Sequence, residues 1–351
     1  MNDTVTGTVP DKRAALVHTL FPGGIPRLWC PLLTHYDDHG ALDTRRIAAH
    51  IRHMRPWVSA FLAPGSTGDG WEMTQEESTR LLDFLIEEAD RQDFSLMIGV
   101  LRTGRGEVVP AIRSALERYT GGDGSATALA ERHLCGFTVT APKGADLPQA
   151  VIRAELEEIA GIGVPLALYQ LPQITENEIA PATVESLVAA HPAIYMLKDT
   201  SGADRIIGAG VDLQNLFMVR GAEGDYARWT RANGGPYDGY LLSTANSFAR
   251  ELAVVLGLSG GDGTARGTEV ADRIGRAVAA VFDAAATLPF GNPFANANKA
   301  FDHHFAWGPA ADDHAPPMTH SGERLPAALI EAARRALGEA GVETGSGYLR
   351  G

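Results

Sequence analysis

Lysine is scarce in this chain, with four residues against twenty-six arginines. Cysteine is scarcer: Cys30 and Cys135 are the whole supply in 351 residues. Two cysteines at that length make no disulfide framework and suit a reducing compartment. An excess of positive charge is missing too. The formal net charge of −13 argues against nucleic acid or an anionic membrane as the main partner, but leaves room for a locally basic pocket that takes a small acidic substrate. No apolar run is long enough to cross a bilayer, and the opening residues lack the apolar core of a secretion signal, so the expected location is cytoplasmic. What is present, 45% hydrophobic and 21% charged residues, is the make-up of a globular protein with a sizeable core.

Residues 1–27 read as an N-terminal extension with a short helix over 12–20, ended by Pro22-Gly23-Gly24. A rhythm then sets in. Apolar, strand-like runs at 28–34, 58–63, 94–101, 136–141, 165–171, 194–197, 216–219 and 239–242 alternate with stretches of helical periodicity such as 74–91, 149–159 and 183–190. The runs are nearly continuous in hydrophobicity, as in parallel strands covered on both faces. Eight such units over 28–258 fit an α/β fold closed as a (β/α)8 TIM barrel better than an open sheet, although doubly wound folds share the pattern. Thr74 with Glu77 forms a capping box ahead of Leu81, Leu82 and Leu85. The Gly-Gly-Asp-Gly-Ser run at 121–125 opens an insertion over 121–135 and reads as a flexible surface excursion. Residues 259–351 look helical at 271–286, 298–307 and 325–337, and are expected to pack on the barrel and build oligomer contacts.

In such a barrel, chemistry sits where strands end. The run Ile194-Tyr195-Met196-Leu197 leads straight into Lys198. Three large apolar residues before a lysine leave its head group poorly hydrated. An amine out of water favours its neutral, nucleophilic form, which Schiff-base chemistry on a ketone requires. The plainer reading is a side chain that reaches solvent or pairs with Asp199. Thr34 ends the first run, Gly65-Ser66-Thr67-Gly68-Asp69 follows the second, Arg102 the third and Lys143 the fourth. Tyr169 lies in the fifth; Gly221 and Glu223 follow the seventh, and Ser243, Thr244 and Asn246 the eighth. Small residues at 65–68 let a ligand approach the backbone, and two hydroxyls with their amides can cradle a carboxylate, though such a run is often only a turn. Tyr169 is either a packing residue or a phenol that relays protons beside an imine. His303 and His304 beside Asp302 suggest a metal, but adjacent helical residues point apart and no third ligand stands at helical spacing. No metal site is expected, and Asp312, Asp313 and His314 read as a solvated loop.

Taken together, these motifs resemble the dihydrodipicolinate synthase and N-acetylneuraminate lyase superfamily, Schiff-base-forming class I aldolases and lyases on a (β/α)8 barrel. The resemblance covers residues 28–335. It is carried by Gly65-Ser66-Thr67-Gly68-Asp69 with Thr74, Glu76 and Glu77, by Tyr169-Gln170-Leu171-Pro172, and by Leu197-Lys198-Asp199-Thr200-Ser201-Gly202. Gly221, Ser243-Thr244-Ala245-Asn246, and Asn292-Pro293 with Lys299 fall where the family has similar residues. The resemblance implies an imine between Lys198 and the ketone of pyruvate or another 2-oxo acid, with an aldehyde or sugar acid as second substrate. Ser66 and Thr67 would hold the carboxylate and Tyr169 would shuttle the proton. Thr34, Gly65, Lys143, Gly221, Ser243 and Thr244 would line the pocket. No metal or organic cofactor is implied, because the protonated imine is itself the electron sink. A homo-oligomer, dimer or tetramer, is also implied.

The departures are specific. Family members that make dihydrodipicolinate generally carry an arginine two residues after the motif's proline; here that place is Ile174. Where the family often has Pro-Tyr-Tyr after the fourth strand, this chain has Pro142-Lys143-Gly144, so the tyrosine relay is absent or rebuilt. Lys143 is then a site for an acidic substrate tail, a like charge that favours the neutral form of Lys198 by repulsion, or a solvated loop residue. Asp69 replaces a glutamate. These changes point to an aldolase or lyase with a different acceptor or leaving group. A dehydratase of a deoxy-keto sugar acid using the same imine is the second reading, and a barrel that has lost catalysis and binds a ligand is the third.

Overall fold

The computed structural model describes residues 7–258 and 264–350. Eight strands, β1 (Leu28–Pro31), β2 (Ala60–Ala63), β3 (Ser95–Val100), β4 (Leu134–Thr140), β5 (Leu166–Gln170), β6 (Ile194–Asp199), β7 (Phe217–Arg220) and β8 (Gly239–Leu241), overlap the eight predicted runs. Their order, β1 through β8 with β8 beside β1, is that of a closed barrel. With helices between strands and a helical C-terminal part, the fold is the (β/α)8 barrel that the rhythm predicts. No helix among the described residues is long and apolar enough to cross a membrane. Two expectations fall partly outside the described residues: the opening of the N-terminal extension and the boundary at 258/259.

The chain divides into two compact units, one made of 1–27 and 95–222, the other of 28–94 and 223–351. In the first, β3 to β7 pair in parallel. Every residue of β4, β5 and β6 is buried, which is why these strands lack the polar alternation of a half-solvated sheet. Val139, Leu168, Leu197 and Met218 stand side by side in register, and one residue further on stand Thr140, Tyr169, Lys198 and Val219. Side chains alternate along a strand, so these two rows face opposite sides. The helix Val9–Leu20, opened by a capping box between Thr8 and Asp11, buries Arg13, whose guanidinium donates to the carbonyls of Val188, Ile194 and Gln214. Arg13 thus secures the entry end of β6, four residues before Lys198.

The insertion is not the loose excursion that its glycines suggest. Gly121 takes a left-handed conformation that ends the helix Val108–Thr120, and the Ser125 hydroxyl caps a new helix, Ala126–Ala130. Leu129 in that helix is fully buried. One apolar anchor and one cap give the segment a fixed place.

In the second unit β1 pairs with β2 and β8. The predicted capping box opens the helix Gln75–Gln92, which buries Leu81, Leu82 and Leu85. The long C-terminal helices are Thr264–Ala285, Pro293–Trp307 and Ala327–Glu339. Pro293–Trp307 is buried almost throughout, including Lys299, Asp302, His303 and His304. Buried charges and rings of this kind need partners, and each has them. The chain end lies along this helix: the Tyr348 and Leu349 amides donate to the Phe305 and Ala306 carbonyls, and the Tyr348 hydroxyl donates to Asp302.

Candidate active site

Each unit places a polar cluster at the C-terminal ends of its strands. In the first, the Lys198 amine donates to the Tyr169 hydroxyl at 3.1 Å and lies 4.1 Å from the centre of the ring. Lys198 is 5% exposed and Tyr169 2%, so this lysine does not reach solvent. Their neighbouring register positions on β5 and β6 create the contact, and the apolar run before Lys198 is what buries it.

Gly221 makes the room. A Cβ there would fall 2.8 Å from Lys198 Cε and 2.4 Å from Thr200 Cγ2. The Gly221 amide donates to the Asp199 carbonyl at 2.7 Å, and Thr200 donates through both amide and hydroxyl to the Gln170 carbonyl. The turn after β6 is thereby tied to its neighbours.

Lys143 is half exposed and pairs with Glu176 at 3.1 Å. Asn177 donates to the Pro142 and Gly144 carbonyls, which fixes the loop that carries it. Ile174 lies in the short helix Pro172–Thr175. Burial pushes the Cys135 thiol up to about 12, so it offers no nucleophilic thiolate.

The second unit carries the Gly65–Asp69 turn. Gly68 is required, since a Cβ there would meet the Leu32 carbonyl at 2.4 Å. The Thr34 hydroxyl donates to the Gly68 carbonyl at 2.8 Å. Ser66 accepts the Trp71 indole N–H at 2.8 Å, which leaves its own hydroxyl hydrogen to donate elsewhere. Thr67 is buried. The turn is held from the helix Pro293–Trp307 and its cap: Asn292 donates to the Ser66 carbonyl at 3.2 Å, and Lys299 meets Asp69 at 2.7 Å with both side chains buried. The Asn292-Pro293 and Lys299 positions are therefore the turn's supports.

Ser243 and Thr244 point their hydroxyls at Glu223, at 2.6 and 2.7 Å, and the Thr244 amide and the Tyr226 hydroxyl complete its four donors. Sequence reading places Glu223 after the seventh strand without a role; of its donors only Tyr226 is near it in sequence, and Ser243 and Thr244 come from about 20 residues further on. Asn246 binds the Leu33 amide and the Pro31 and Ser243 carbonyls, so it joins the ends of β1 and β8.

His303 and His304 turn to different carbonyls, those of Ala311 and Ile330. Asp302 instead faces His35 and His50, which among the described residues form with it the group close enough to share a metal. The donor set fits a metal poorly. His35 and His50 hydrogen-bond each other at 3.1 Å, His50 also meets the Asn246 carbonyl, and Asp302 already binds the Arg46 guanidinium at 2.7 Å and Tyr348. Burial alone would raise the Asp302 carboxyl, but the charges on His50, Arg46 and His35 outweigh it and hold it well below the usual range.

No protein-family model matches the chain. Among curated proteins it is 27% identical to the 4-hydroxy-tetrahydrodipicolinate synthase of Agrobacterium fabrum over 230 residues, 65% of this chain and 71% of that one. It is 29% identical to the same enzyme of Salinibacter ruber over 52% of this chain and 55% of that one, so the match spans little more than half of the second relative. The Escherichia coli K12 protein YagE, provisionally named a 2-dehydro-3-deoxy-D-gluconate aldolase, is 26% identical over 64% of this chain and 66% of its own. The crystal structure of YagE with pyruvate, described as of the dihydrodipicolinic acid synthase family, superposes with a TM-score of 0.65 at 19% identity, covering 90% of this chain and 98% of that one. KD(P)GA from T. tenax gives 0.67 at 16% identity, covering 90% and 99%. The chain is thus similar in sequence to 4-hydroxy-tetrahydrodipicolinate synthases and to YagE, and shares its fold with structures described as of the dihydrodipicolinate synthase family.

Proposed function

We propose that this protein is a metal-independent class I aldolase or lyase that forms an imine between Lys198 and pyruvate or another 2-oxo acid, and makes or breaks a C–C bond. The observation that carries the reading is the buried amine of Lys198 against the hydroxyl of Tyr169. An amine there attacks the ketone carbon, and loss of water leaves the imine. Once protonated, the imine nitrogen accepts the electron pair left when a C3 proton departs or a C3–C4 bond breaks. Tyr169 is the acid–base group within reach. Ser66 and Thr67 take the role of carboxylate donors, with Ser66 oriented for it by Trp71. No metal or organic cofactor enters this scheme. A cytoplasmic homo-oligomer belongs to the same proposal.

Ile174, in the place of the arginine expected of dihydrodipicolinate-forming enzymes, favours an acceptor without that enzyme's second carboxylate. Turnover of a panel of 2-oxo acids with and without aldehydes tests this. Aldehyde release or consumption supports the aldolase. Loss of water from a deoxy-keto sugar acid without aldehyde release would move the assignment to the dehydratase, and neither reaction would leave a ligand-binding barrel.

A further inference from the structure

We infer that Thr140 determines specificity for the second substrate: its hydroxyl hydrogen-bonds the aldehyde oxygen on the carbon joined to C3 of the imine. The inference rests on the imine reading of Lys198 and deepens it. Thr140 ends β4 and stands in register with Tyr169, which stands in register with Lys198. Paired residues of parallel neighbours face the same way, and neighbouring strands lie about 4.8 Å apart. The three side chains therefore form one row, with the threonine on the far side of the phenol from the amine.

Thr140 is 2% exposed and its hydroxyl has no hydrogen-bond partner among the described residues. Burying a hydroxyl unpaired is unfavourable, and valine has the same shape without that cost. Around it the same face carries apolar groups, Ala167 and Met196 one step down their strands. Thr138, one step down β4, already donates its hydroxyl to the Met97 sulfur. The loop after β4 supplies no hydroxyl in compensation: it reads Ala141-Pro142-Lys143-Gly144, and the Lys143 ammonium is engaged by Glu176. The hydroxyl at 140 is thus the polar group β4 can offer a ligand beside Tyr169.

In the joining direction, the enamine pair on C3 forms the C3–C4 bond and the aldehyde π pair takes a proton from the Tyr169 phenol, which solvent restores on turnover. The nitrogen returns to an iminium, and water releases the product. Thr140 transfers no proton. It donates a hydrogen bond to the oxygen that gains charge as the bond forms, and so acts after the imine is made.

The test compares wild type with Thr140→Val and Thr140→Ser. Borohydride trapping with pyruvate reads the imine, exchange of the pyruvate methyl protons in D2O reads the enamine, and joining of pyruvate to glycolaldehyde, D- and L-glyceraldehyde and D-erythrose reads the aldehyde step. Thr140→Val is expected to keep trapping and exchange while kcat/KM for the best aldehyde falls by about 100- to 1,000-fold, the range for removing one donor to an oxygen that gains charge in the transition state. Thr140→Ser restores most of it. Should the valine variant misfold, Thr140→Ala against Thr140→Ser gives the same contrast. Aldehyde kinetics unchanged in the valine variant overturn the assignment, as does parallel loss of trapping, which would place Thr140 in imine formation. A wild type that exchanges protons yet joins no aldehyde also overturns it while leaving the imine intact; a wild type that is never trapped removes both.

Discussion

A single hydrogen atom at Gly221 is what lets Lys198 lie where it does. Replacing it with a methyl group would set that carbon 2.8 Å from Lys198 Cε, closer than real side chains approach. Gly221→Ala should therefore move the lysine away from Tyr169, slow trapping with pyruvate and lower kcat by at least about tenfold, with a stability cost of about 1–3 kcal/mol for overpacking. Denaturant melts and single-turnover trapping read the two effects separately. Wild-type trapping rates in this variant would show that the lysine does not depend on that space.

The buried pair Lys299–Asp69 holds the turn of Ser66 and Thr67 from a helix 230 residues away. Removing one partner leaves the other charge buried alone. Lys299→Met should cost about 3–5 kcal/mol, and Lys299→Met with Asp69→Asn should recover part of that. Urea unfolding of the two single variants and the double variant checks this; additive losses would mean the charges are not coupled.

Glu223 gathers four donors, from Ser243, Thr244 and Tyr226. Glu223→Ala strands them together and should lower stability by about 1–3 kcal/mol. Glu223→Gln, which keeps one carbonyl oxygen, should fall between the two. Equal melting curves for all three proteins would show that the carboxylate does not organise this loop.

Acid should weaken the second unit in two steps. Burial lowers His303 to about 4 and His35 well below 6.5. Between about 4 and 6.5 the unfolded chain binds a proton at His303 that the folded chain does not, so stability is full above 6.5 and falls as pH drops through that window. The Asp302 carboxyl, held low by His50, Arg46 and His35 against its own burial, adds a second loss as pH falls below its unfolded value near 3.8. Chemical denaturation from pH 7 to pH 3 should show stability decreasing monotonically. His303→Gln should flatten the upper part of the fall, and a stability rising toward pH 5 would contradict the assignment.

Much of this was readable in the chain. The eight apolar runs became eight strands because parallel strands buried on both faces leave an unmistakable continuous pattern, and the Thr74–Glu77 box formed because capping is local. Lys198 and Tyr169 could be named for the same reason: their strands are legible, and register does the rest. The pairings of the supports could not be, although the resemblance picks out Lys299 itself. Nothing near Asp69 announces Lys299, nothing near Asp302 announces Arg46 and His50, and Arg13 meets its carbonyls about 180–200 residues on. Such pairings depend on which strand ends and helices the closed order brings together. The glycines at 121–124 misled because Ser125 and Leu129 settle that segment, one by a cap and one by a buried side chain.

The most direct measurement is borohydride reduction of the protein with pyruvate, followed by mapping of the adduct. With only Lys12, Lys143, Lys198 and Lys299 in the chain, the modified position is unambiguous. The adduct should form on Lys198 alone and vanish in a folded Lys198→Arg variant. An adduct on another lysine, or none with any 2-oxo acid, would contradict the imine at this site.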